Sequence, residues 1–149
     1  MKIFERTLLC LIFFAGITRY FHMRGSTVFL TLFCLILALF YLLFSFALLN
    51  EIPLKRIFSK SAYNMISGHR IFSSVLMGIS SMIVVFGFLF LAERWNGGPA
   101  MGVYGLTAVI LMLIINGLVF LVTRDKFYGK LLIRGLLFGA AVFGAYFLF

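Results

Sequence analysis

The placement of charge constrains this chain more than any other feature of it. Its 13 Lys and Arg fall almost wholly in short breaks between long apolar runs. Charge-free runs cover 27–49, 71–92 and 95–123. At 1.5 Å of rise per residue, each is long enough to cross a hydrocarbon core of about 30 Å. A chain built this way reads as an all-α, polytopic membrane bundle in which the bilayer takes the part of solvent.

Two further runs need argument. Residues 7–18 are too few to span alone, but the stretch 3–21 suffices if Arg6 and Arg19 extend to opposite interfaces. An amphipathic anchor lying in the interface is the competing reading of this segment. A cleaved signal peptide is not expected, because no small-x-small site follows it and Arg19, His22 and Arg24 crowd its exit. The last run, 131–149, holds Arg134 one turn from its start, where a long side chain can reach the interface. The expectation is one membrane-embedded domain, residues 1–149, with five spans at about 3–21, 27–49, 71–92, 103–123 and 131–149.

Orientation follows from the same charges. With five spans, Lys2, Arg6, Lys55, Arg56, Lys60, Arg70, Arg124, Lys126, Lys130 and Arg134 share one side, and Arg19, Arg24 and Arg94 lie on the other. Basic residues resist translocation, so the N-terminus is expected in the cytoplasm of a bacterial inner membrane and the C-terminus in the periplasm. The net charge of +9 is then mainly topogenic, with attraction to anionic lipid headgroups second. No loop is long enough to build a base-reading surface, so no nucleic-acid partner is expected. The longest polar segment, 50–70, follows a helix broken at Pro53. There Ile52, Leu54, Ile57 and Phe58 set against Lys55, Arg56 and Lys60 can form a short interfacial helix or a docking site.

Residues 13–32, which close the first span and open the second, are echoed by 85–106 between the third and fourth. Both segments carry a late glycine, a basic residue, an aromatic-rich turn and a long apolar return. Two such hairpins would be parallel repeats. The stretch Gly16-Ile17-Thr18-Arg19-Tyr20-Phe21-His22-Met23-Arg24-Gly25, followed by an uninterrupted apolar helix, resembles the N-terminal two-helix unit of the gliding-motility and type IX secretion protein GldL and related small membrane proteins of Bacteroidota. The resemblance spans residues 13–49 and implies a shared hairpin design. That family carries an intramembrane carboxylate in its second helix, and 27–49 here has none. Motor activity and proton coupling are therefore not implied.

Glu5, Glu51, Glu93 and Asp125 all lie at the ends of runs. Coupled transport needs an ionisable group at membrane depth, which argues against a pump or antiporter. His22 and His69 belong to opposite faces and cannot share one metal or haem, while Cys10 and Cys34 are isolated in apolar stretches and read as packing residues. No cofactor, metal site or catalytic residue is expected. The polar trio Ser67, His69 and Arg70 has no acid beside it in sequence. The Arg94-Trp95-Asn96-Gly97-Gly98-Pro99 segment supplies an interfacial anchor and a tight reversal.

Small residues are the more informative signal. Gly135 and Gly139 form one four-residue pair and Ala140 and Gly144 another, on different faces of the last helix. Ser74, Gly78 and Ser81 share a face of the third span, and the fourth aligns Gly102, Gly105, Asn116 and Thr123. These stripes suit helix packing, within the chain or against a second subunit. Asn116 is the one amide well inside a run, and an unpaired amide in lipid costs several kcal/mol, so it must face a helix, a cavity or a ligand. Two functional readings stand: a non-enzymatic structural or accessory subunit contacting itself or other membrane proteins, and a small transporter or channel with Asn116 on a polar path. A reporter fused at Phe149 is expected to be active only outside the cytoplasm, and a cytoplasmic signal would refute the five-span topology.

Overall fold

In the computed structural model, which describes residues 1–57, 59 and 66–149, the described chain is all-helical, with no strand. Five α-helices follow in order: α1 (Lys2–Tyr20), α2 (Ser26–Leu49), α3 (Gly68–Ala92), α4 (Gly98–Thr123) and α5 (Lys126–Leu148). The helices α2 to α5 are long and apolar enough to cross a membrane. Helix α1 is shorter and carries Lys2, Glu5, Arg6 and Arg19, which leaves it outside that group.

Helix α3 is the centre of the bundle. It packs on α2, α4 and α5 and touches α1. Its composition permits this: Ser73, Ser74, Gly78, Ser80, Ser81 and Gly87 are all buried, and small side chains let neighbouring backbones approach closely. A Cβ on Gly78 would lie 1.9 Å from Ser45 Oγ and 2.8 Å from the Tyr41 carbonyl oxygen of α2. One on Gly87 would lie 2.9 Å from the Met101 carbonyl oxygen of α4. Around these contacts Leu30, Cys34, Leu37, Tyr41 and Leu89 form the α2–α3 core, with Leu8, Ile12 and Ala15 of α1 packed on its side. A second apolar cluster joins Val84 and Leu91 of α3 to Val109, Val142 and Ala145 of α4 and α5.

The two helical hairpins close on the same turn. After α1, the amides of Phe21, His22 and Met23 donate to Ile17, Arg19 and Thr18, then Ser26 donates to Met23 and Phe29 to Gly25. After α3, every one of these five bonds recurs 72 positions later, from Glu93 donating to Leu89 through to Met101 donating to Gly97. His22 and Arg94 both hold φ at 54°, and Gly25 (83°) and Gly97 (87°) are the left-handed caps that start the return helices. The helix ends are Schellman-type closures, in which one left-handed residue lets the last carbonyls find donors. The echo between residues 13–32 and 85–106 is therefore a shared backbone geometry. Helix α5 has no counterpart in this pairing.

Between α2 and α3, in the segment expected to form a short interfacial helix or a docking site, Leu54–Arg56 form a single 3-10 turn. Ile52 and Ile57 are buried against Ala47, Phe44 and Met1. Phe58 and Lys60, also part of that expectation, lie outside the described residues.

Gly78→Ala forces α2 and α3 apart at backbone atoms and is expected to destabilise the protein by about 1–3 kcal/mol. Gly144→Ala, whose Cβ would meet nothing within 4 Å, is expected to stabilise α5 by up to about 1 kcal/mol. Thermal unfolding of both variants in one detergent checks the contrast.

Candidate functional site

Of the charged residues of α1, Lys2 and Arg6 are exposed, whereas Glu5 and Arg19, in its first and last turns, are drawn in by partners. Glu5, in the first turn of α1, is buried at 7% exposure. Its Oε1 accepts a 2.7 Å hydrogen bond from the Tyr41 hydroxyl of α2 and pairs with the Arg134 guanidinium of α5. Arg134 was expected to extend to the interface. Instead it turns inward, its Cζ 5.3 Å from the Tyr41 ring centre and 5.4 Å from that of Phe138. The reason is electrostatic and local, because a guanidinium flanked by two rings and a carboxylate is better solvated there than by a long reach through apolar surface. Three helices thus meet at one charge pair.

A second tier lies closer to the N-terminal face of the bundle. Glu51, just beyond α2 and at φ 60°, accepts from Lys2 Nζ at 2.7 Å and Lys130 Nζ at 3.5 Å. The Lys2 ammonium, by hydrogen bond and by charge, holds the Glu51 carboxyl below its ordinary range, and Lys130 adds to this. Asp125 caps α5 by accepting from the Phe127 amide at 3.0 Å and pairs with Arg70 of α3, whose Nε lies 3.0 Å away. The Phe127 amide first and Arg70 second hold its carboxyl low. Arg70, which has no acid near it in sequence, thus receives one from 55 positions away. Ser67 and His69 are exposed beside it.

Between α1 and α5, floored by the end of α2, lies an open cleft of about 560 Å³. Lys2, Glu5, Arg6, Glu51, Lys130 and Arg134 supply its polar wall. Leu9, Ile133, Leu137, Phe138 and Ala141 supply the apolar one. A smaller cleft of about 310 Å³ lies beside it, against Met1, Ala47, Ile52 and Pro53.

At the opposite face, Arg19 Nε lies 3.0 Å from the buried Glu93 carboxylate. Tyr146 donates to the Pro99 carbonyl, tying the end of α5 to the start of α4, and the Phe149 ring sits 6.4 Å from Tyr20 and 6.3 Å from Phe88.

The small and polar residues singled out in the sequence are distributed as follows. Gly135 and Gly139 face Leu113 and Val109 of α4. Ala140 is exposed and Gly144 meets no neighbour, so this pair points out of the bundle. Ser74 accepts from Asn50 Nδ2 at 2.8 Å and donates to the Arg70 carbonyl, while Ser81 donates to that of Met77. Gly102 lies under Tyr146 and Gly105 against Val84. Asn116 is 1% exposed, and its Nδ2 donates to the Met112 carbonyl of its own helix. Its Oδ1 is buried without a partner. Neither cleft is lined by Asn116 or by the α3 serines. His22 and His69 stand exposed at opposite ends of the bundle, with Cys10 exposed and Cys34 buried.

The Glu5–Tyr41–Arg134 cluster is what reading the sequence missed. Its signal was Tyr41, the one tyrosine in the 27–49 run. A buried phenol needs a hydrogen-bond partner, and here the Tyr41 hydroxyl finds it in Glu5 of α1. Comparison of the chain with protein-family models, curated proteins and solved structures gave no match.

Removing one partner of a buried ion pair leaves the other charge unsolvated, at about 3–5 kcal/mol. Arg134→Met is expected to destabilise the protein by that amount, and adding Glu5→Gln is expected to restore most of it. Thermal unfolding of the two single variants and the double variant measures the coupling.

Proposed function

We propose that this chain is a five-span inner-membrane protein, with a cytoplasmic N-terminus and an outer C-terminus, that acts as a non-enzymatic structural or accessory subunit. In this reading it packs against itself or against other membrane subunits. The observation that carries it is how the polar groups of the apolar helices are used. Glu5 with Arg134, Arg19 with Glu93 and Arg70 with Asp125 join helices to one another. Ser74, Ser81 and Asn116 bond to backbone carbonyls of their own helices. The ion pairs act as fasteners of a scaffold, whereas a conducting path needs polar groups aligned along a polar, water-filled lumen.

The outer surface supports the same reading. Most of α4 and α5 is uncovered within the monomer, and Val122, Phe147 and Leu137 are among their exposed apolar residues. Ala140 and Gly144 form a small-residue step on α5 that admits a close helix neighbour. A shared hairpin design with GldL-like proteins fits an accessory part in an envelope assembly, without the carboxylate of a motor.

Gentle extraction of the tagged protein into native lipid particles, followed by native mass determination, tests this. A defined homo-oligomer or a stoichiometric partner is the expected result. A lone monomer would overturn the reading and turn attention to transport, with Asn116 as the first position to mutate.

A further inference from the structure

The cleft between α1 and α5 has the internal order of an amphiphile. Helix α1 contributes Lys2, Glu5, Arg6 and Leu9, one helical face running inward from the N-terminal end. Helix α5 contributes Lys130 and Arg134 above Leu137 and Ala141. Along α5 the wall changes from charged to wholly apolar over the 11 helical steps from Lys130 to Ala141, a descent of about 16 Å at the helical rise. That is the depth of a lipid headgroup and the upper part of an acyl chain within one leaflet of a core of about 30 Å.

The charges leave a positive excess at the rim. Four cations, Lys2, Arg6, Lys130 and Arg134, border the cleft with two carboxylates, Glu5 and Glu51. Arg134 is taken by Glu5, and one carboxylate, Glu51, is shared between Lys2 and Lys130. Lys130 is the more distant of the two, and its side chain is 74% exposed. Arg6 has no carboxylate within ion-pair distance among the described residues. A ligand seated here must bring negative charge for Arg6 and Lys130 and an apolar body for Leu9, Leu137 and Ala141. A free anion satisfies the first demand and not the second.

We infer that this cleft is a binding site for one anionic phospholipid, with its phosphate between Arg6 and Lys130 and an acyl chain laid along Leu9, Leu137 and Ala141. The inference rests on the proposed membrane setting of the chain and does not depend on what the protein assembles with. Basic pockets between membrane helices take anionic headgroups by this chemistry, through charge-assisted hydrogen bonds at a site of lowered dielectric.

The test is lipid retention by the delipidated protein in native mass spectrometry, with phosphatidylglycerol, phosphatidylcholine of the same chains, and inorganic phosphate as probes. Phosphatidylglycerol is expected to bind about tenfold or more tightly than phosphatidylcholine. Arg6→Gln with Lys130→Gln is expected to erase that preference, since each charge contributes about fivefold. Arg56→Gln with Arg124→Gln, two basic residues outside the cleft, is expected to leave it intact. Ala141→Trp fills the apolar wall with the charges untouched, and should weaken retention of both lipids. This variant keeps the test decisive if the charge variant fails to fold. Equal retention of the two lipids would overturn the inference, as would an equal effect of the control pair, unchanged retention by Ala141→Trp, or displacement of the lipid by phosphate at matching concentration. A stoichiometric protein partner found alongside any of these results would leave the accessory reading standing and remove the lipid site alone.

Discussion

A carboxylate or guanidinium inside an apolar bundle is held only if an opposite charge or a set of donors replaces the water it lost. That requirement determines how α1 is attached. Of the five helices it is the one whose charges keep it from being apolar enough to cross a membrane on composition alone, and three of those charges, Lys2, Glu5 and Arg19, are its points of attachment. Lys2 reaches Glu51, Glu5 reaches Tyr41 and Arg134, and Arg19 reaches Glu93. Helix α1 is pinned near both ends, while Leu8, Ile12 and Ala15 supply apolar contact between the pins. Remove the pairs, and a 19-residue helix would rest on a narrow apolar stripe.

The other four helices follow a different rule. In α2 and α3, close approach is set by small side chains, above all Gly78 against Ser45 and the Tyr41 carbonyl. Where α5 packs on α4, a Cβ on Gly135 or Gly139 would meet Leu113 or Val109 side-chain atoms at 3.0 Å and 3.3 Å, and one on Gly102 would lie 2.7 Å from the Tyr146 hydroxyl. Helix α5, which stands outside the two matching hairpins, packs on α3 and α4 and sends Arg134 across to Glu5. The unpaired helix thus reaches the first hairpin through the Arg134–Glu5 pair and the Phe138–Tyr41 ring contact, and the second through packing and the Asp125–Arg70 pair.

The helical bundle was legible in the sequence because breaks in the apolar pattern coincide with turns. The run 27–49 differs by one residue from α2, and the runs 71–92 and 103–123 end where α3 and α4 end. Both of those helices start earlier, at Gly68 and Gly98, because glycine and a first-turn proline can enter a helix at its N-terminus without a hydrophobic signal. The likeness of the two hairpins was legible as a pattern of glycine, base and aromatic residue. Its backbone form was not, since His22 and Arg94 take left-handed conformations that side-chain type does not announce. Least legible was the cleft. Arg134 and Glu5 each look like interfacial residues in their own segments, and only the placement of α5 beside α1 turns two peripheral charges into one buried pair. Asp125 and Arg70 were hidden for the same reason.

The Glu5–Arg134 pair also sets an order of events in biosynthesis. Its two halves are roughly 130 residues apart in the chain. At a translation rate of about 5–20 residues per second, the glutamate emerges some 6 to 26 s before its counter-ion exists. During that interval the first helix has Tyr41, once α2 is made, but no cation at Glu5 from α5. Final seating of α1 must therefore await the synthesis of α5, however early α1 itself is made.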